Sequence, residues 1–186
     1  MMRDKLAIFD MDGTLIDTCT VNFRSYQAAL AEEGIDLGYD YFVSECFGKG
    51  YKDYLPPIIG DDAEMLERVH KRKIGLYREY LEEARLNPLL LDFIHGMKDI
   101  YHMALVTTAS KDNVFEELEH FGLKKDFDLV LTAEDIPRHK PDPQGFLMAM
   151  ERLSVPPERT VIFEDSEVGI KAALQTGASV MKVERI

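Results

Sequence analysis

The chain has 186 residues, of which 46% are hydrophobic, and its 34 acidic side chains outweigh 22 basic ones to give a net charge of −12. This balance excludes a general nucleic-acid binder, whose partner needs a basic face, and the apolar content excludes intrinsic disorder. Two isolated cysteines, Cys19 and Cys46, exclude a disulfide scaffold. We therefore expect one domain, or one domain with a small insertion, that is soluble, cytoplasmic and without a membrane span.

Short aliphatic runs predict the strands of a parallel sheet. In chain order they are Leu6–Phe9, Met103–Val106, Phe127–Leu131, Thr160–Phe163 and Ser179–Val183. Amphipathic stretches between these runs predict helices at 113–120, 144–153 and 168–176. This alternation predicts an α/β fold built on a doubly wound parallel sheet.

The alternation stops between residues 18 and 84, where no buried strand is predicted. Apolar spacing there predicts a first helix around Phe23 and Tyr26, which Gly34 stops, and a longer helix later. We interpret residues 18–84 as an inserted helical cap domain. Residues 1–17 and 85–186 then form the α/β core.

Polar residues of catalytic type follow four of the predicted strands. They are Asp10, Thr107, Glu134, which comes three residues after its strand, and the pair Glu164 and Asp165. Because the carboxyl ends of parallel strands meet at one edge of a sheet, these side chains are expected to lie close together.

The first of these strand ends carries Asp10-Met11-Asp12-Gly13-Thr14. Two carboxylates at this spacing suit Mg²⁺, with one acid attacking phosphorus and the other transferring protons to the leaving oxygen and from water. Taken alone, the segment is equally typical of an Asx-type turn that caps a helix.

Residues further along the chain favour the catalytic interpretation. Thr107 offers a hydroxyl group, and Lys140, held in His139-Lys140-Pro141-Asp142-Pro143, offers a positive charge against carboxylates and phosphate. Glu164 and Asp165 add the acids that complete a metal site.

The segments FDMDGT, LVTTAS, HKPDP and VIFEDSEVGIKAA resemble the four motifs of the haloacid dehalogenase-like hydrolase superfamily, in the branch with a helical cap. The resemblance covers nearly the whole chain and implies a Rossmann-like core with a cap that opens and closes over the site.

The resemblance also implies a role for each matching residue. Asp10 would be the nucleophile, Asp12 the general acid and base, Thr107 a phosphate-binding hydroxyl, and Lys140 the group that stabilises nucleophile and phosphate. Mg²⁺ would be the cofactor, held by Asp10, Asp165 and the backbone carbonyl of Asp12. Glu164 would orient a metal-bound water or ligate the metal directly.

Within the family, Asp12 argues against dehalogenation, which needs no second acid. The pair Glu164 and Asp165 looks most like the subgroup of β-phosphoglucomutase and sugar-phosphate phosphatases. We therefore expect a phosphatase that acts on a small phosphorylated metabolite, a sugar or polyol phosphate, through an aspartyl phosphate. Candidate substrate-binding residues are Thr108, Lys49 and Lys52.

Three alternatives stay open at this point. A phosphosugar mutase would carry a cap His and Arg, where this chain has Asn22 and Tyr51. A phosphonate hydrolase would form an imine on a cap lysine, either Lys49 or Lys52. A receiver-like or other phospho-ligand-binding module would lack the insertion or at least one motif residue. We expect a monomer or weak homodimer with no nucleic-acid partner.

Overall fold

The computed structural model of the chain describes residues 3–47 and 49–184. These residues form seven strands: β1 (Lys5–Phe9), β2 (Ile16–Asp17), β3 (Arg85–Leu86), β4 (Tyr101–Val106), β5 (Leu129–Leu131), β6 (Thr160–Glu164) and β7 (Ser179–Lys182). Their α-helices are α1 (Cys19–Ala31), α2 (Tyr39–Tyr41), α3 (Tyr51–Tyr54), α4 (Pro56–Ile59), α5 (Ala63–Tyr77), α6 (Pro88–Met97), α7 (Lys111–His120), α8 (Gln144–Leu153) and α9 (Glu167–Leu174). A π-helix covers Phe42–Cys46, and 3-10 helices cover Arg78–Glu83, Ala133–Asp135 and Pro157–Arg159.

Five strands form one parallel sheet in the order β5-β4-β1-β6-β7. The chain starts at the central strand β1, builds one side through β4 and β5, and then crosses to β6 and β7 on the other side. The predicted α/β, doubly wound, Rossmann-like fold is thereby confirmed. In such a sheet the strand order reverses beside β1, and ligands bind outside the carboxyl ends of the strands at that point.

Both faces of the sheet are covered, as its continuous apolar strands require. On one face, Leu6, Ile8 and Ile162 pack with buried residues of α8 and α9. On the other face, Phe9 stacks on Phe163 with 4.9 Å between ring centroids, and further aromatic rings surround this pair. The sheet is therefore packed on both faces.

Two features of this region go beyond the sequence-based prediction. The strand predicted at 127–131 is confined to Leu129–Leu131, because the Asp128 side chain accepts a hydrogen bond from Met103 N–H and Phe127 packs against Phe9. An antiparallel ribbon also joins β2 to β3, with Asp17 and Arg85 as register partners.

Contacts divide the described chain into two compact units, Met1–Asp17 with Arg85–Ile186, and Thr18–Ala84. The second unit has its own core, in which α1 and α5 pack together. Its central side chains include Tyr26, Phe42 and Leu55, all buried. Its role as a cap stays a prediction. Among the described residues, none of the helices combines the length and apolarity that crossing a membrane demands.

Candidate active site

The carboxyl edge of the sheet brings together most of the residues predicted to carry the chemistry. Asp10 directly follows β1, and its backbone N–H donates to the Phe163 carbonyl of β6 at 3.0 Å. Thr107 directly follows β4 and is bound in the same way to Leu131 of β5, also at 3.0 Å. Since Glu164 is the last residue of β6, three neighbouring strands deliver polar side chains to one place.

Lys140 is the centre of this group. Its ammonium forms ion pairs with the Asp10 carboxylate and with the Glu164 carboxylate, the latter at 2.7 Å. The side chain of Lys140 is only 9% exposed, and that of Glu164 is fully buried. Buried charges of this kind are tolerated only when they are paired and hydrogen-bonded, so the three side chains hold one another in position.

The charges of this cluster do not balance. Burial raises the pKa of Asp10 to about 8, although the Lys140 ammonium alone would lower it. For Lys140, burial alone would lower the pKa, but the carboxylates of Asp10 and Glu164 raise it above its usual range. The carboxylates of Glu164 and Asp12 also disfavour ionisation of Asp10. A further cation beside Asp10 would favour its carboxylate form, which is the form that can attack phosphorus.

The donor atoms needed to hold such a cation are present. One carboxylate oxygen from each of Asp10, Glu164 and Asp165 lies within 4.8 Å of the other two. Asp165 is partly exposed and accepts a hydrogen bond from the Thr14 hydroxyl at 3.0 Å. Hard carboxylate oxygens at a partly open position suit Mg²⁺, which keeps several waters. The residues therefore fit the divalent metal that this cluster would bind.

Glu164 and Asp165 have different surroundings although they are adjacent. One oxygen of Glu164 accepts hydrogen bonds from Ser166 N–H at 3.0 Å and its hydroxyl at 2.7 Å, and the other accepts from Lys140. A Cβ atom at Gly169 would lie 2.0 Å from the Glu164 carboxylate, so only glycine leaves room for it. These contacts hold the Glu164 carboxylate against Lys140, whereas Asp165 is partly exposed.

Thr107 is oriented for hydrogen-bond donation. It is buried, and its hydroxyl oxygen accepts from Ala109 N–H at 3.0 Å, which leaves the hydroxyl hydrogen for another acceptor. A small open cleft lies beside it. Its lining includes Thr107, Thr108, Arg138, His139, Lys140 and Phe146. Thr108 is exposed there, so it is accessible to a ligand.

Glu134, which the sequence places after a strand of the sheet, has a structural role. Its carboxylate accepts from the backbone N–H of Lys111, the first residue of α7, at 2.9 Å and from the Thr132 hydroxyl at 3.0 Å. It therefore fixes the start of the helix that follows the Thr107 loop.

The predicted cap residues lie in the second unit. Lys49 and Lys52 are both exposed, Lys49 is 3.5 Å from Glu45, and Lys52 lies against the ring of Tyr51. Asn22 donates to the carbonyl of Thr18, the residue before its helix, at 3.1 Å. Their part in substrate binding stays a prediction.

Sequence reasoning did not single out Thr14, Ser166 and Gly169, which support the acidic side chains. Thr14 belongs to the DxDGT segment, and Ser166 caps α9 by accepting from Gly169 N–H at 3.1 Å. A serine just before a predicted helix indicates a helix cap, so the capping role of Ser166 could have been predicted. Its contact with Glu164 could not.

A family model described as haloacid dehalogenase-like hydrolase matches residues 7–183 of the chain. The chain belongs to this family. Its members generally use a divalent metal ion, in agreement with the acidic cluster at the carboxyl edge. The predicted family and enzyme class are thereby confirmed.

Known members of the haloacid dehalogenase-like family are similar to the chain over most of its length. A phosphorylated carbohydrates phosphatase of Thermotoga maritima is 32% identical, over 96% of this chain and 82% of the relative. A fructose-1-phosphate phosphatase of Escherichia coli, YqaB, is 30% identical, over 95% of this chain and 94% of the relative. These names support the prediction of a phosphatase.

Solved structures of the family also match. CbbY from Rhodobacter sphaeroides, determined in complex with phosphate, superposes with a TM-score of 0.84 at 27% identity and covers all of this chain and 88% of its own. The chain therefore shares its fold with a protein that was solved with phosphate bound.

Proposed function

We propose that the chain is a magnesium-dependent phosphatase that hydrolyses a small phosphorylated metabolite, a sugar or polyol phosphate, through an aspartyl phosphate on Asp10. The observation that carries this proposal is the Lys140 ammonium in contact with both Asp10 and Glu164, beside Asp165 at the carboxyl edge. The substrate class is supported by the relatives named for phosphorylated carbohydrates and fructose 1-phosphate.

The metal would be held by the carboxylates of Asp10 and Asp165 and by the backbone carbonyl of Asp12. When bound, Mg²⁺ supplies positive charge that neutralises and orients the phosphoryl oxygens. Lys140 adds a second positive charge, and the Thr107 hydroxyl donates a hydrogen bond to a phosphoryl oxygen. These groups stabilise charge that develops in the transition state, which is the largest contribution in many enzymes.

In the first half of the reaction, a carboxylate oxygen of Asp10 attacks phosphorus. The bond between phosphorus and the leaving oxygen breaks, and Asp12 gives its proton to that oxygen, so that the sugar or polyol leaves as a neutral alcohol. Lys140 keeps Asp10 directed at phosphorus throughout, because its ammonium contacts the carboxylate.

In the second half, Asp12 acts as a base. Its carboxylate takes a proton from a water molecule as the water oxygen attacks phosphorus. The bond to Asp10 then breaks, inorganic phosphate is released, and both aspartates return to their starting forms.

Substrate selection is assigned to Thr108 in the cleft and to Lys49 and Lys52 in the second unit, acting as a cap. The lysines would bind anionic or hydroxyl groups of the substrate away from the transferred phosphate. Replacing both by alanine is expected to raise KM more than it lowers kcat. We also propose that the enzyme works in the cytoplasm as a monomer or weak homodimer, which light scattering at micromolar concentration tests.

The experiment is phosphate release from a panel of phosphorylated small molecules, measured with Mg²⁺ and with a chelator, and with Asp10→Asn as the matched control. The panel includes sugar and polyol phosphates, phosphoglycolate and β-glucose 1-phosphate, and the last is also assayed for isomer. Metal-dependent release by wild type alone supports the proposal, and the preferred substrate identifies the specificity.

Other outcomes contradict it. Isomer formation without net phosphate would replace hydrolysis by mutase chemistry. Equal release by Asp10→Asn would exclude Asp10 as the nucleophile, and release unaffected by the chelator would exclude the metal. Silence across the panel would favour an unusual substrate or a binding role.

A further inference from the structure

Asn87 occupies the junction between strand β3 and helix α6, and its side chain is engaged at both ends. The residue is 4% exposed. Its Oδ1 accepts from Leu89 N–H at 3.1 Å and Leu90 N–H at 3.3 Å, which caps the helix. Its Nδ2 donates to the Thr14 carbonyl at 3.3 Å, and its backbone N–H donates to the Leu15 carbonyl at 2.9 Å.

Capping of helix α6 explains only the oxygen of the Asn87 side chain and not its amide nitrogen. Serine and aspartate cap helices about as well as asparagine, because capping needs just an oxygen acceptor. Neither offers an amide donor at the position of Nδ2. The hydrogen bond from Nδ2 to Thr14 joins residues 73 positions apart in the sequence. It is therefore a tertiary contact that is not needed to start helix α6.

Thr14 connects Asn87 to the acidic cluster through a second hydrogen bond. It is 1% exposed, and its hydroxyl donates to Oδ1 of Asp165 at 3.0 Å. One hydrogen bond therefore fixes the backbone of Thr14 and a second fixes the carboxylate of Asp165. We call this series the Asn87–Thr14–Asp165 chain.

The neighbouring backbone restrains the same loop. Gly13 N–H donates to the Ile16 carbonyl at 2.8 Å, and Asp12 forms an isolated bridge with Ile16. Ile16 in turn pairs with Leu86 of β3, directly before Asn87. The loop that carries Asp12 and Thr14 is thus bound to the β2–β3 ribbon, and Asn87 adds the side-chain contact that extends to Asp165.

We propose that Asn87 is a positioning residue for the metal site. Its amide holds Thr14 so that the Thr14 hydroxyl keeps the Asp165 carboxylate turned towards Asp10. Residues behind metal ligands set ligand orientation, and their loss weakens metal binding about 10- to 100-fold. The inference rests on the proposed function, because it requires Asp165 to bind the cation.

The test is direct calorimetric titration of Mg²⁺ into the purified, substrate-free protein. Asn87→Ser and Asn87→Asp keep a cap for α6 but remove the amide donor. Because Asn87 is one residue further from the metal than Thr14, we expect both variants to raise the Mg²⁺ dissociation constant about 3- to 10-fold. An unchanged constant in both variants, within twofold, would overturn the proposal.

A residue that caps a helix in the second unit provides the matched control. Asp62 accepts from Glu64 N–H and Met65 N–H at the start of α5, at 3.0 and 2.9 Å. Asp62→Ala removes this cap, so it should lower the thermal midpoint while leaving Mg²⁺ affinity at the wild-type value. A similar loss of affinity in Asp62→Ala would show that general destabilisation weakens metal binding, and it would overturn the specific role of Asn87.

A double-variant cycle tests the route. Thr14→Val removes the hydroxyl at nearly constant volume and is expected to weaken Mg²⁺ binding. If Asn87 acts through Thr14, the double variant Asn87→Ser with Thr14→Val binds no more weakly than Thr14→Val alone. If the double variant instead raises the Mg²⁺ dissociation constant by the product of the two single effects, Asn87 does not act through Thr14, and the proposed series of contacts is wrong. A wild type that takes up no Mg²⁺ would overturn the proposed function as well, whereas normal wild-type binding with unaffected Asn87 variants overturns this inference alone.

Discussion

The two edges of the parallel sheet use charge in opposite ways. At the carboxyl edge, Lys140 and Glu164 form an ion pair in which neither side chain is more than 9% exposed. At the amino edge, Arg159 pairs with Asp4, and these side chains are 55% and 54% exposed. The pair of Arg3 and Asp128 at the same edge is also partly exposed.

This difference separates the exposed ion pairs of the amino edge, which contribute only to stability, from the buried charges of the carboxyl edge, which are proposed to serve catalysis. Exposed pairs contribute about 0–1 kcal/mol each and can be lost with little effect. Buried charges must be compensated, and here the compensation is incomplete, since burial raises the pKa of Asp10. A fold does not gain stability from such a cluster, so its presence at the carboxyl edge indicates function.

The largest contrast is expected between two aspartates next to the same strand. Asp10→Asn removes the attacking oxygen and should lower turnover by about 10⁴-fold or more, because no other group replaces a nucleophile. Asp4→Asn, at the amino edge, should stay within about twofold of wild type. Steady-state phosphate release from the preferred substrate measures both. Comparable losses in the two variants would remove the distinction between the edges.

A smaller contrast involves two cations. Lys140→Ala should lower kcat about 100-fold, on the scale of one preorganised charge in an active site. Arg159→Ala breaks an exposed pair and should leave kcat unchanged. Circular dichroism of both variants checks that the fold is retained. A near-normal rate for Lys140→Ala would exclude the role proposed for its ammonium.

Substitutions at two glycines test whether kcat depends on the position of the Glu164 carboxylate. Gly169→Ala places a methyl group against the Glu164 carboxylate and should lower kcat about tenfold by shifting the partner of Lys140. Gly96→Ala, on α6, meets no atom within 4 Å and should stabilise the protein by up to about 1 kcal/mol without changing kcat. Thermal unfolding and kinetics separate the two effects. Full activity in Gly169→Ala would show that the Glu164 position is not critical.

The smallest expected effect concerns pH and the amino edge. Asp128 is partly buried, which alone would raise its pKa, but the Arg3 guanidinium and Met103 N–H hold the pKa below its usual value. The ionised form is therefore favoured by folding, and this contribution is present above pH 4 and lost as pH falls through the folded-state pKa. Asp128→Asn should lower the thermal midpoint at pH 7 by about 2 °C, and the difference from wild type should close in acid. A constant difference at all pH values would contradict this account.

The sequence allowed much of the first unit to be predicted, because its signals are local. A buried aliphatic run followed at once by Asp10, Thr107 or Glu164 identifies both the strand and its carboxyl end. The order of such strands in an α/β sheet then brings these residues together. Lys140 was predicted from its motif as the group that stabilises the nucleophile Asp10, whereas its ion pair with Glu164 was not predicted.

Contacts between distant segments could not be predicted in this way. The amide of Asn87 meets Thr14 across 73 positions, and the need for glycine at 169 arises only from the Glu164 carboxylate above it. Strand β2 has two residues, too few for a periodicity. In the second unit, aromatic packing around Tyr26 joins several short helices whose ends carry weak sequence signals.

The β2–β3 ribbon has a consequence for the modularity of the chain. Asp17 and Arg85 are opposed in an antiparallel pair, so from the side of the sheet the whole segment 18–84 occupies the place of a hairpin loop. The entropic cost of closing a loop rises only slowly with its length. Segments of very different size can therefore be exchanged at this ribbon while the registers of the five-stranded sheet and the spacing of Asp10 from Lys140 are preserved.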